Sequence, residues 1–133
     1  MCVDTEWASQ YCCRVAVAAC YNDLQYVVAG KAIWTWVDGN KALFLQPTAE
    51  EAAFVAQILA VPHFQALVGT RQLLKGSPVA DPLVIASARE RGGCVVTEEA
   101  HKPHAAKIPN VCEHFGIHCT NVEGFLQQNG WEF

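Results

Sequence analysis

The sequence predicts an α/β domain, a parallel sheet with helices on its faces. Short apolar runs rich in β-branched residues (Arg14–Ala18, Cys94–Thr97 and Ile117–Thr120) alternate with segments whose apolar residues recur at helical spacing. Strand–helix alternation of this kind marks parallel strands joined by crossover helices. The helical segments are also punctuated, with Thr48, Asp81 and Asn121 at their starts and Gly92-Gly93 and Gly116 at their ends. A length of 133 residues fits one domain, 1–133, with room for a proper core.

The elements follow in order. Residues 4–12 suggest a short helix with Asp4 or Thr5 as cap. Arg14–Ala18 is a strand, and Cys20 to Val28 a helix carrying Asp23, broken by Gly30. Ala32–Val37 starts a second helical piece, Asp38-Gly39-Asn40 is a turn signal, and Ala42–Leu45 is briefly extended. Pro47–Glu51 is a strong helix start, because Thr48 and Glu51 have the spacing at which each side chain caps the other's backbone amide. Phe54, Val55, Ile58 and Leu59 then form one core-facing stripe. Pro62 ends that helix or starts another over His63–Val68, and Gly69–Val79 is a polar loop or a short helix.

In the second half, Asp81-Pro82 suits a helix start, since Asp caps free amides and Pro fits the first turn. Leu83, Val84, Ala86 and Ala88 make the helix mostly apolar, and Gly92-Gly93 stop it. Cys94–Thr97 is a buried strand ending in Glu98-Glu99, followed by a polar loop, Ala100 to Lys107. Pro109–Gly116 is a short helix closed by Gly, Ile117–Thr120 a strand, and Asn121 the cap of a last helix, Val122 to Gln128. Trp131 and Phe133 are expected to pack back on the body.

Composition narrows the class. With 52% hydrophobic and 17% charged residues the chain is globular rather than disordered. Its apolar runs break at Gly, Asp or Pro well short of the roughly 20 residues a membrane span needs. The start, MCVDTEWASQ, has no basic segment followed by an apolar one, so no secretory signal is expected and the default location is cytoplasmic. Seven cysteines, an odd count with Cys12-Cys13 adjacent, fit reduced and mostly buried thiols. Cys94 and Cys112, in apolar surroundings, are small core residues on this reading. A net charge of −4 argues against a protein that coats nucleic acid, yet leaves room for a nuclease, because a bound cation inverts the field of an acidic site.

The chemistry-bearing pattern is acidic. Asp81 at a helix start and Glu98-Glu99 at the end of the next strand can meet outside the carboxyl ends of the strands, where α/β sheets bind ligands. Acids gathered at one point repel unless a cation joins them, and hard oxygen donors suit magnesium or manganese.

The run Ala80-Asp81-Pro82-Leu83-Val84-Ile85-Ala86 and the run Val95-Val96-Thr97-Glu98-Glu99 resemble the third-acid helix and the fourth-acid strand end of the PIN-domain family. These are metal-dependent ribonucleases often found as toxins of toxin–antitoxin pairs. Lys107-Ile108-Pro109-Asn110-Val111-Cys112, with Phe115-Gly116-Ile117, is similar to a little-characterised PIN-like branch. The match is good from Ala42 to Phe133 and loose upstream. The resemblance implies a three-layer PIN-like fold and a toxin-type endoribonuclease. In it Asp81, Glu99 and Asp23 hold Mg2+ or Mn2+, Glu98 or Asp4 assists, RNA is the substrate and an antitoxin protein the partner.

Two departures from the family pattern stand out. Tyr21-Asn22-Asp23-Leu24 puts Asp23 where the family has Glu, one methylene shorter in reach. Val3-Asp4-Thr5 looks like the first-acid motif, yet only nine residues separate Asp4 from Arg14, fewer than the roughly dozen a parallel crossover takes. The expectation is therefore that the opening strand is absent and the site keeps part of its ligands. The alternatives are that Asp4 serves in a compressed fold, or that a second chain completes the sheet edge as a homodimer.

Plainer roles compete at each position. Asp81 alone is a helix cap, Glu98 and Glu99 are solvated loop acids, and Asp23 is a surface residue. His101, His104, Cys112, His114, His118 and Cys119 invite zinc, but their spacing is wrong for a regular finger. Trp34 and Trp36 fit core packing with one exposed ring, or a partner-binding surface. A non-catalytic PIN-like protein acting through protein–protein contact is the alternative to the enzyme.

Overall fold

The structure, a computed structural model, describes residues 2–4, 14–17, 31–69 and 79–130. The expected helix around Asp23 lies outside the described residues, as do Trp131 and Phe133. No helix among the described residues is long and apolar enough to cross a membrane.

The fold is α/β. Five short strands form one sheet: β1 (Cys2–Asp4), β2 (Arg14–Val17), β3 (Phe44–Leu45), β4 (Cys94–Val96) and β5 (Cys119–Thr120), in the order β3-β2-β1-β4-β5. The pairs β2–β3 and β4–β5 are parallel, with Ala16 opposite Phe44 and Val95 opposite Cys119. The central β1 runs against both neighbours, setting Asp4 opposite Arg14 on one side and Cys94 on the other. Four strands therefore share one direction and one opposes them.

This corrects two expectations. The sheet is mixed rather than parallel throughout. The opening strand is also present, as Cys2–Asp4, where its absence was expected; the helix expected over residues 4–12 lies, beyond Asp4, outside the described residues. The length objection applied to a parallel crossover, whereas antiparallel neighbours are joined without one.

The helices obey local chemistry closely. α1 (Lys31–Gly39) ends in a turn at Asn40, whose side-chain amide donates to Trp36 O. A 3₁₀ turn, Lys41–Leu43, then leads into β3. α2 (Ala49–Ala60) starts with the reciprocal cap its sequence promised. Glu51 N donates to Thr48 Oγ1 and Thr48 N donates to Glu51 Oε2, both at 3.1 Å. Phe54 and Ile58 are buried on its core face. Pro62–Leu67 is a 3₁₀ helix that buries Phe64.

α3 (Ala80–Glu90) is the centre of the packing. Val84, Ile85, Ala86, Ser87 and Ala88 are consecutive and all buried, so the helix has no solvent face along this stretch. It lies against β1, β2 and β4 and also packs on α2 and on α4 (Ile108–Phe115). Burial of each large aliphatic here contributes roughly 1.5–3 kcal/mol. The helix begins one residue before Asp81, with Val79 at the cap position and no side-chain cap bond. Asp81 therefore stands inside the first turn instead of capping it, and Pro82 occupies a position whose missing N–H costs nothing. At the other end Gly92 takes φ +65°, a conformation Gly adopts without penalty, and Gly93 N donates to Ala88 O at 2.8 Å. Gly116, at φ 67°, closes α4 the same way. Asn121 caps α5 (Val122–Gln128) by accepting from Gly124 N at 2.8 Å.

One polar contact ties α2 to α3. Glu51, 1% exposed, offers its second oxygen to Arg91 Nε at 3.2 Å, and Arg91 Nε also lies 3.0 Å from Ser87 Oγ. The Arg89 guanidinium sits 4.1 Å over the Phe54 ring across the same interface. Loss of the Thr48 cap in Thr48→Ala costs about 1 kcal/mol. Arg91→Ala strands a buried carboxylate and costs about 3 kcal/mol. Urea denaturation of the two variants checks the order, and equal midpoints would show that Glu51 does not depend on Arg91.

Candidate functional site

Strand direction decides where chemistry can gather. β2, β3, β4 and β5 all point their carboxyl ends to one edge of the sheet, the edge at which α/β folds collect ligands. A cleft of about 390 Å³ opens there, beyond the ends of β4 and β5. Its walls include Thr97, Glu99, His101, Glu113, Cys119 and Thr120.

The expected site residues fall differently around this edge. α3 returns into β4 through the three residues Arg91–Gly93, so helix and strand run in opposite directions and the first turn of α3 stands at the carboxyl edge. Asp81, partly exposed, therefore lies toward the edge where Glu98 and Glu99 follow β4, but it is not among the residues that line the cleft. Asp4 aligns with Cys94, the first residue of β4, and so stands at the opposite edge, apart from Glu99. Asp23 lies outside the described residues.

Glu98 and Glu99 each hold the start of a helix. Glu99 Oε2 accepts from Ile108 N, the first residue of α4, at 3.0 Å, and Oε1 accepts from Lys107 Nζ at 3.0 Å. Glu98 Oε1 accepts from Val122 N, the first residue of α5, at 2.8 Å. Free amides at a helix start need acceptors, and a carboxylate answers both that need and the positive end of the helix dipole. Thr97 Oγ1 accepts from Glu99 N at 3.1 Å and fixes the loop that aims the acids. Partial burial pushes the Glu99 pKa up, but the Ile108 amide and the Lys107 ammonium outweigh it, and the carboxyl sits below its ordinary value.

Across the cleft His101 Nε2 lies 2.9 Å from Glu113 Oε2. The same Nε2 lies 3.2 Å from the Asn110 side-chain amide nitrogen, a donor, so the two neighbours make opposite demands on the ring tautomer. Asn110 Nδ2 donates to Lys102 O at 2.7 Å and steadies the same loop. Sequence reasoning missed both this pair and the Lys107–Glu99 pair. The second had a signal, since Lys107-Ile108-Pro109 announces a helix start that needs an anion.

The thiols and remaining histidines divide among several sites. Cys94 and Cys112 are fully buried, as the sequence suggested. Cys94 Sγ lies 3.0 Å from His118 Nδ1, while the neighbouring Cys119 thiol and burial push the Cys112 thiol above its ordinary range. His114 packs edge-on against Phe64 and Phe115. Among the described residues no three His, Cys, Asp or Glu side chains gather in a metal-binding arrangement.

The family model of a domain of unknown function, DUF4411, matches residues 18–133. No curated protein and no solved structure matches the chain. The matched stretch takes in Asp23, Asp81, Glu98 and Glu99 and leaves out β1 with Asp4.

Because folding lowers the Glu99 pKa, its stabilisation is complete above the ordinary carboxylate value of 4.5 and fades as pH falls through the lowered one. Glu99→Ala is expected to cost about 1 kcal/mol at neutral pH, discounted for partial exposure. Urea titrations at falling pH should show the gap to the parent protein closing in the acid range. A gap that stays constant would mean that the charge of Glu99 contributes nothing.

Proposed function

The chain belongs to the DUF4411 family, domains of unknown function, and we propose, from its acidic residues and their placement, that it is a PIN-like, metal-dependent endoribonuclease acting at the acidic edge of its sheet. What supports this reading is the topology: α3 returns to β4 through three residues, which sets the helix start bearing Asp81 toward the edge where Glu99 follows β4. Same-direction strands on both sides of the sheet centre and a helix buried along the sheet support a three-layer PIN-like arrangement.

The donor chemistry fits Mg2+ or Mn2+. Asp81 and Glu99, with Asp23 as the third acid, supply hard carboxylate oxygens, and each Glu99 oxygen keeps a lone pair beyond the hydrogen bond it accepts. When bound, such an ion activates water and offsets the charge that grows on an RNA phosphate. The chain's own groups prepare the site. Lys107 and the Ile108 amide keep Glu99 ionised and fix its direction, as outer partners of ligand carboxylates do. Glu98 moors the adjoining helix, and Thr97 sets the loop. A cytoplasmic toxin, with RNA as substrate, an antitoxin protein as partner and a homodimer as its assembly, completes this reading.

A second reading rests on a specific observation. Glu98 and Glu99 are already bound to helix starts, and Asp4 stands at the far edge. These features suit a non-catalytic PIN-like protein that acts through protein–protein contact.

Manganese-dependent cleavage of a mixed-sequence RNA, with Mn2+ binding followed by electron paramagnetic resonance, separates the two. On the enzyme reading the parent protein binds Mn2+ and cuts, Asp81→Asn does neither, and Lys107→Met cuts about tenfold more slowly. A pure parent protein that neither binds Mn2+ nor cuts RNA leaves the non-catalytic reading.

A further inference from the structure

We infer that Asn129 is a site of spontaneous, irreversible modification, where hydrolytic loss of the side-chain amide unlatches the last turn of α5. The inference is independent of the nuclease reading. Of the five asparagines only Asn129 is followed by glycine, in the run Gln127-Gln128-Asn129-Gly130. A glycine has no side chain to shield its backbone nitrogen, so that nitrogen can reach the side-chain carbon of the residue before it. Asparagine is thermolabile through this route.

In the fold the reacting groups are held apart. Asn129 Nδ2 donates to Phe125 O at 2.7 Å, and Gly130 N, the attacking atom, donates to Gln127 O at 3.0 Å. Asn129 stands at the cap of α5 with φ −92° and ψ 10°. At that ψ the Gly130 nitrogen is rotated well away from the Asn129 Cβ, whereas ring closure in an L residue needs the two nearly eclipsed. The reaction therefore waits for the turn to open. α5 is only seven residues long, and Asn129 is partly exposed with Gly130 exposed beyond it. Short helices gain little from their own backbone bonds, and their ends open at small cost.

Once the turn is open, Gly130 N gives up its proton and attacks Asn129 Cγ. The Cγ–Nδ2 bond breaks, and ammonia leaves with that proton. The cyclic imide then takes up one water, which opens it to aspartate or to isoaspartate; nothing is oxidised or reduced. The product cannot remake the cap. A carboxylate has no hydrogen to give Phe125 O, and its charge falls at the end of α5, where the helix dipole is already negative. The isoaspartyl form also lengthens the main chain by a methylene, which draws Gly130 N away from Gln127 O. The latch opens once and stays open.

The sequence makes the test direct. No Lys or Arg follows Lys107, so trypsin releases residues 108–133 as one peptide holding Asn110, Asn121 and Asn129. The full-length protein is kept warm in mildly alkaline buffer, folded or in urea, then digested and fragmented by mass spectrometry. The expected result is an amide exchanged for a hydroxyl at Asn129 and not at Asn110 or Asn121, with isoaspartate among the products. The folded chain should react about tenfold more slowly than the chain in urea. Gly130→Ala should slow the reaction in both. Amide hydrogen exchange should show Asn129 and Gly130 losing protection in Asn129→Asp, while Val111 and Cys112 of α4 keep theirs. Conversion of Asn110 or Asn121 ahead of Asn129 overturns the site, as does an Asn129 still intact in the folded chain after many of its half-lives in urea. A folded rate equal to the urea rate overturns the gating, and unchanged protection in Asn129→Asp overturns the latch.

Discussion

The rest of the described structure is arranged around a helix whose middle, Val84 to Ala88, has no exposed face. Consecutive residues of α3, from Val84 to Ala88, are buried, so apolar surface surrounds it on every side. The sheet takes one side, and α2 and α4 cover others. Ala86, Ser87 and Ala88 keep the helix thin where its neighbours crowd in. The polar groups at its ends then have to find partners, and they do so in the Arg91–Glu51 contact and in the backbone closure at Gly92-Gly93.

That packing also orients the cleft. A buried helix joined to its strand by three residues must run back along it, which carries Asp81 to the edge where β4 ends. The acids that follow β4 are held by the starts of α4 and α5, so the edge is built from helix origins as much as from strand ends. Glu99, held by the Ile108 amide and the Lys107 ammonium, is stabilised in its charged form, the state in which a carboxylate can take a cation. The same hydrogen bonds are what make a purely structural role for Glu98 and Glu99 a coherent alternative.

How much of this the sequence disclosed follows from the range of each interaction. The Thr48–Glu51 cap, the Asn121 cap and the Gly116 stop are written within three or four residues, and the sequence reading matches them. The cap position falls at Val79, two residues before the Asp81 expected there, and Val79 has no capping side chain. The direction of β1 escaped entirely. Strand direction is a tertiary property, and a spacing rule for parallel strands misjudged an antiparallel one. The partners of Glu98 and Glu99 escaped for the same reason, since Val122 and Lys107 are distant in sequence and near only in the fold. The role proposed for Asp23 rests on a likeness alone, since Asp23 lies outside the described residues.

Glu98 and Glu99 are covalent neighbours, yet one grips α5 and the other α4. The cleft has Pro109 and Glu113 of α4 on one wall and Thr120 and Asn121 on the other. A single dipeptide thus acts as a caliper, setting the gap between two jaws that do not otherwise share a backbone link as short. Drawing α4 away from α5 would pull a carboxylate off a helix-start amide, so the spacing of the two helix starts is tied to these adjoining side chains.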